Sequence, residues 1–182
     1  MNPFIIILFT IIVVGLLIGI LYIYFYNKIN DTIIRVNEAE NRIDENLRDK
    51  YDILNRSVLL VKSSVELDDK TFNELAKLKT KKLSNFDLDR TLVTSYNELL
   101  SLCDNHKELR DNDELYRSMK QLELIDEELV TLRNYYNGNI TNYNRMIKRF
   151  PTLIIAKIKK YNERLFYDMK DRNDEDYEDF KL

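Results

Sequence analysis

The sequence predicts an all-α protein, an N-terminal transmembrane helix followed by an antiparallel bundle of long helices. Three observations carry that prediction. No charged side chain occurs between Met1 and Asn27, although charged residues make up 32% of the chain. Beyond Lys28 there is a single glycine, Gly138, and a single proline, Pro151, with no alternating strand-length run and no hairpin dipeptide. Apolar residues there recur at alternating spacings of three and four, the period of an amphipathic helix.

The span comes first. Phe4 to Phe25 reads FIIILFTIIVVGLLIGILYIYF, about 33 Å as a helix against a bilayer core of about 30 Å. Tyr22, Tyr24 and Tyr26 cluster at its inner end, where amphipathic rings favour the headgroup layer. A cleaved signal peptide fits less well. There is no basic leading segment, the apolar run is too long, and no small-residue cleavage site follows it. A buried core helix fits less well still, because nothing downstream is apolar enough to surround it. Residues 1–27 therefore read as a membrane anchor. Lys28, Arg35 and Arg42 follow the span and no lysine or arginine precedes it, which points to an outer N-terminus and a cytoplasmic body. A lone cysteine, Cys103, agrees with a reducing compartment.

Residues 28–151 read as the bundle. Its first helix carries Ile29, Ile33, Val36, Ile43 and Leu47, interrupted at Glu40. The stripe then resumes at Tyr51, Leu54, Val58, Val61 and Val65 after an extra four-residue step. Asp68, Asp69 and Thr71 suit a turn and cap before a short helix with Phe72, Leu75, Leu78 and Leu83 on one face. Asp87 can cap a third helix seamed by Leu88, Leu92, Tyr96, Leu99, Cys103 and His106. Arg110 to Asp113 makes a polar hairpin loop. On the fourth helix Leu115, Leu122, Leu129, Tyr136, Tyr143 and Phe150 repeat every seven residues. Met119, Ile125, Leu132, Ile140 and Ile147 fill its flank, and Pro151 ends it. A short lysine-rich helix is expected from Leu153 to Phe166, within a segment bounded at 152–167. Residues 168–182, dense in Asp and Glu, read as a disordered acidic tail.

Chemistry is scarce. A net charge of −3 with mixed signs gives no basic patch for nucleic acid. No phosphate-cradling glycine loop or paired metal motif is present. Cys103 and His106 lie three apart on one predicted helix, but zinc takes three or four protein ligands and no other Cys or His exists. A di-iron bundle site needs two Glu-x-x-His pairs, which one histidine cannot supply. No cofactor, no metal and no catalytic residue are expected.

Polar residues on the seams say more. Asp126 and Arg133 occupy positions where Met119, Ile140 and Ile147 set an apolar pattern. A buried arginine needs a carboxylate, and Asp126 is about 10 Å along the same helix. Asp44 or Asp52 on the facing helix is the expected partner of Arg133, and Asp44 and Arg48, four apart, can join the same network. Such a network sets helix register or, alternatively, builds a ligand site. Asn137 and Asn144, beside Tyr136 and Tyr143, either bond across to another helix or stay hydrated.

Two segments resemble a known family. AENRIDENLRDKYDILNRSVLLVK, Ala39 to Lys62, is similar to the first-helix signature of the LemA family. EELVTLRNYYNGNITNYNRMIKRFP, Glu127 to Pro151, resembles its R-x-x-Y-N, Y-N and F-P pattern. The resemblance covers most of the chain, loosely between Phe72 and Glu108. Glu40 stands where the family often has tryptophan, and proline is missing near Asn55. The matching positions are Ile43, Asp44, Leu47, Arg48, Asp52, Arg133, Tyr136, Asn137, Tyr143, Asn144, Phe150 and Pro151. The resemblance implies a bacterial membrane-anchored antiparallel bundle. It brings no catalytic role, and magnetosome relatives suggest by analogy an organising role at membranes.

The expected function is a scaffold or interaction module, not an enzyme. It would contact the bilayer and recruit a protein partner or self-associate. A ligand-binding or sensory module is the alternative. Whether Asp44, Arg48, Asp126 and Arg133 close on one another or line an open cavity separates the two.

Overall fold

A computed structural model describes residues 3–66, 71–78 and 85–167. Among them are six helices and no strand: α1 (Pro3–Ser64), α2 (Asn73–Lys77), α3 (Asn85–Asn105), α4 (Lys107–Arg110), α5 (Asp113–Lys148) and α6 (Thr152–Lys159). The turn expected at Asp68 and Asp69, the apolar position Leu83 and the acidic tail from Asp168 lie outside the described residues. The chain falls into two compact units. One is built from Met1–Glu38 and Tyr136–Leu165, the other from Ala39–Tyr135 and Phe166–Leu182.

α1 continues without a break from the apolar segment into the charged body. An 18-residue apolar window near its start is long and apolar enough to cross a membrane, and none of that window is buried by protein. Further along, Ile29, Val36, Ile43, Lys50 and Ser57 are fully buried at intervals of seven, with Ala39, Leu47, Leu54 and Val61 buried between them. The first row is regular, while the second steps eight from Ala39 to Leu47 before resuming at seven. The extra step expected at Tyr51 is thus displaced towards Ile43, because the seam passes through Lys50, whose charge reads as surface in a sequence.

α2 starts after Phe72, not from a Thr71 cap. Phe72 takes a left-handed conformation (φ 60°) with no side-chain cap, and it is buried together with Leu75. Burial of the ring offsets a backbone cost of about 1–3 kcal/mol. α3 begins at Asn85, which leaves Asp87 inside its first turn, favourable to the helix dipole. The helix stops before His106, which is extended (φ −123°). Arg110 Nη2 reaches back to the carbonyl oxygen (3.4 Å) and Oδ1 (3.2 Å) of Asp104 there. Asn112 caps α5, its Oδ1 accepting the backbone N–H of Glu114 and Leu115, each at 3.0 Å.

On α5, Leu115, Leu122, Leu129, Tyr136 and Tyr143 are buried as the seven-residue repeat predicts, but Phe150 is 80% exposed. It lies beyond the helix end at Lys148. α6 is shorter than expected and closes at Lys159. Lys160 is left-handed, Tyr161 N–H bonds to the Ala156 carbonyl (2.9 Å), and Lys160 N–H bonds to that of Lys157 (3.3 Å). That is the Schellman arrangement, here with lysine where glycine is usual.

Candidate functional site

In the second unit the seams of α1, α3 and α5 meet at four charged side chains. Lys50 Nζ donates to Asp126 Oδ1, and Arg133 Nη2 donates to Asp89 Oδ2. The Lys50 side chain is wholly buried while Asp126 is 35% exposed; Asp89 and Arg133 are 12% and 25% exposed. Asp89 and Tyr96 on α3 lie seven apart, as do Arg133 and Asp126 on α5. Lys50 Nζ also sits 5.8 Å from the Tyr96 ring centroid. α3 and α5 therefore run antiparallel through the cluster, one heptad between its two ion pairs.

Aromatic rings close the cluster. The Arg133 guanidinium lies 5.5 Å from the Tyr167 ring centroid, a cation–π distance. Burial pushes the Asp89 carboxyl above the ordinary carboxylate range. Arg133 and Lys50 pull it back, and Asp126 adds to the push. The Tyr167 phenol is pushed up to about 12, first by burial and then by Asp89. Tyr96 is raised by burial and by Asp126. The Arg133–Asp89 contact uses one nitrogen and one oxygen, so Arg133 Nε and Asp89 Oδ1 are buried without a hydrogen-bond partner.

The expected partner of Arg133 is thus corrected. The carboxylate it meets is Asp89 of α3, in place of Asp44 or Asp52 of α1. Asp89 falls beside the apolar stripe of α3 and reads as solvated, so the sequence directs attention to α1 alone. Lys50, the partner of Asp126, escapes notice for the same reason. Asp44 is half-buried and acts electrostatically on Tyr167, and Arg48 is exposed. Asp52 is also exposed and lines an open groove of about 450 Å³ with Asp49, Ile53, Arg56, Gln121, Leu124 and Ile125.

The motif residues of α5 in the first unit do something else. Asn144 Nδ2 donates to the Arg164 carbonyl (2.8 Å) and its Oδ1 accepts the Arg164 N–H (2.9 Å), as a neighbouring strand would. Tyr143 OH donates to the Asn162 carbonyl (3.0 Å), and Tyr136 OH to that of Leu165 (3.4 Å). Arg164 in turn reaches Asn37 Oδ1 (2.9 Å), and Tyr161 OH reaches Asn30 Oδ1 (3.2 Å). These side chains hold a strap without regular secondary structure, residues 161–165, and not another helix. Asn137 is half-buried on the same helix.

Among the described residues no three His, Cys, Asp or Glu side chains converge as a metal site. Cys103 is buried and its thiol is pushed up by burial and by Asp104. Residues 39–178 match the sequence model of the LemA family, well over half of the chain. No curated protein matches it.

Proposed function

The chain belongs to the LemA family, and on that premise we propose that it is a membrane-anchored helical scaffold that recruits a protein partner or self-associates. The reading includes an outer N-terminus, a cytoplasmic body and no enzymatic activity. Its strongest support is the pairing of Lys50 with Asp126 and of Arg133 with Asp89. These four charges pair with one another across α1, α3 and α5, which favours a role in setting helix register. The unbroken passage of α1 from the apolar window into the bundle supports the anchor.

Photo-crosslinking in native membranes tests the proposal, with the reactive group placed at exposed Tyr116, Leu124 or Val130. A discrete adduct with one protein, or with a second copy, is expected. Uniform absence of adducts at all three positions would count against a scaffold. The groove beside Asp52 favours a second reading, a ligand-binding or sensory module. A small molecule that raises the unfolding temperature of the wild type but not of Arg56→Ala would support it.

A further inference from the structure

We propose that α6 and the turn before it form a second membrane contact, lying in the headgroup layer of the leaflet from which α1 emerges and favouring anionic lipid. The inference rests on the reading of α1 as a membrane span. Phe150, Ile154 and Ile158 are 80%, 52% and 63% exposed, and Ile154 and Ile158 share a face one turn apart. Around them stand Arg149, Lys157, Lys159 and Lys160, all exposed, and the stretch from Lys148 to Lys160 contains no acid. Lys148 is paired with Glu163 at 2.8 Å. Apolar side chains interleaved with cations are the composition of a helix lying on an anionic membrane surface.

Position supplies the second argument. The inner face of α6, Ile155 and Ala156, belongs to one buried cluster with Ile29, Tyr143 and Ile147, against which Phe25 and Tyr26 pack. Lys159 Nζ lies 5.2 Å from the Tyr26 ring centroid. Tyr26 ends the tyrosine cluster that closes the apolar run. From Phe25 to Ile29 the helix rises about 6 Å, close to the thickness of one headgroup layer. Thr32 meets Met146 across the pair of helices, so the turn at Phe150 lies near the level of Lys28. The exposed stripe of α6 therefore continues the membrane contact that the span begins.

The test uses the full chain, with Cys103→Ala, reconstituted in phosphatidylcholine vesicles with or without phosphatidylglycerol. A fluorophore is attached at Phe150→Cys or Ile158→Cys, and at Glu38→Cys as control. Glu38 is exposed and about 18 Å along α1 from Tyr26. Brominated lipid is expected to quench the first two labels at least about twofold more than the control. Lys157→Glu with Lys160→Glu should reduce that quenching in the anionic vesicles. Vesicle flotation reads the anchor separately. A chain that floats while label 158 behaves like label 38 overturns the proposal and leaves the anchor standing; a chain that does not float overturns both. Shielding that depends on protein density and not on lipid assigns the face to a second copy and overturns it too. Equal quenching in neutral and anionic vesicles overturns the preference for anionic lipid.

Discussion

Lys50 and Asp126 form an unequal pair: the lysine is completely withdrawn from solvent, and the aspartate that neutralises it keeps about a third of its surface in water. Removing either partner therefore has different consequences. Without Lys50, Asp126 can be hydrated where it stands. Without Asp126, a buried ammonium loses its direct carboxylate partner.

Asp126→Ala is expected to destabilise the bundle by about 3 kcal/mol, and Lys50→Met by about 1 kcal/mol or less. Denaturant unfolding followed by circular dichroism measures both. Equal losses would mean that Lys50 reaches water once its partner is gone.

Arg133→Ala should cost about 2–4 kcal/mol near neutral pH, because Asp89 is left buried and charged. Asp89 already binds its proton more tightly when folded than when unfolded, and losing Arg133 strengthens that preference. A carboxyl raised in this way adds stability below its unfolded value and loses that contribution as pH rises through its folded value. The deficit of the variant relative to wild type should accordingly shrink on acidification. A deficit independent of pH would assign the loss to packing on Tyr167.

The seams show which parts of this structure could be read in advance. Leu115, Leu122, Leu129, Tyr136 and Tyr143 are legible because apolar side chains at a fixed interval have one economical place to go. Lys50, Ser57 and Asp89 occupy equivalent places but are polar, and the burial of the two charged ones depends on partners contributed by other helices. The strap is illegible for a related reason. Lys160 turns the chain without glycine, and Asn144 pairs with backbone, which leaves no side-chain pattern in the partner segment.

Asn144→Ala removes two hydrogen bonds to Arg164 and should cost about 1–2 kcal/mol. Its more specific effect is local. Amide exchange at Arg164 and trypsin cleavage after it should accelerate, while exchange in α3 stays unchanged. Unaltered cleavage would show that Tyr143 and Tyr136 hold the strap without Asn144.

A chain beginning at Lys28 should be soluble and mainly helical, since the seams beyond it bury one another. It lacks Phe25 and Tyr26, which pack on the Ile29 cluster. A chain beginning at Tyr24 should therefore be more stable by about 1–2 kcal/mol. A spectrum dominated by strand, or no difference between the two chains, would contradict this account.

Tyr167 gives the alkaline prediction. Its phenol ionises near 10 when unfolded and at about 12 when folded, because the charged form would be buried beside Asp89. The folded state therefore holds a proton that the unfolded state releases between those values, and stability falls as pH rises through that window. The difference amounts to at most about 3 kcal/mol. Tyr96 and Tyr143 are raised in the same direction and contribute to the same fall. Tyr167→Phe cannot ionise, so its unfolding free energy should decline less steeply between pH 10 and 12 than that of wild type, while Arg133 keeps a ring to stack on. Parallel pH profiles for the two proteins would show that Tyr167 titrates as it does in water and that the cluster does not exclude solvent from it.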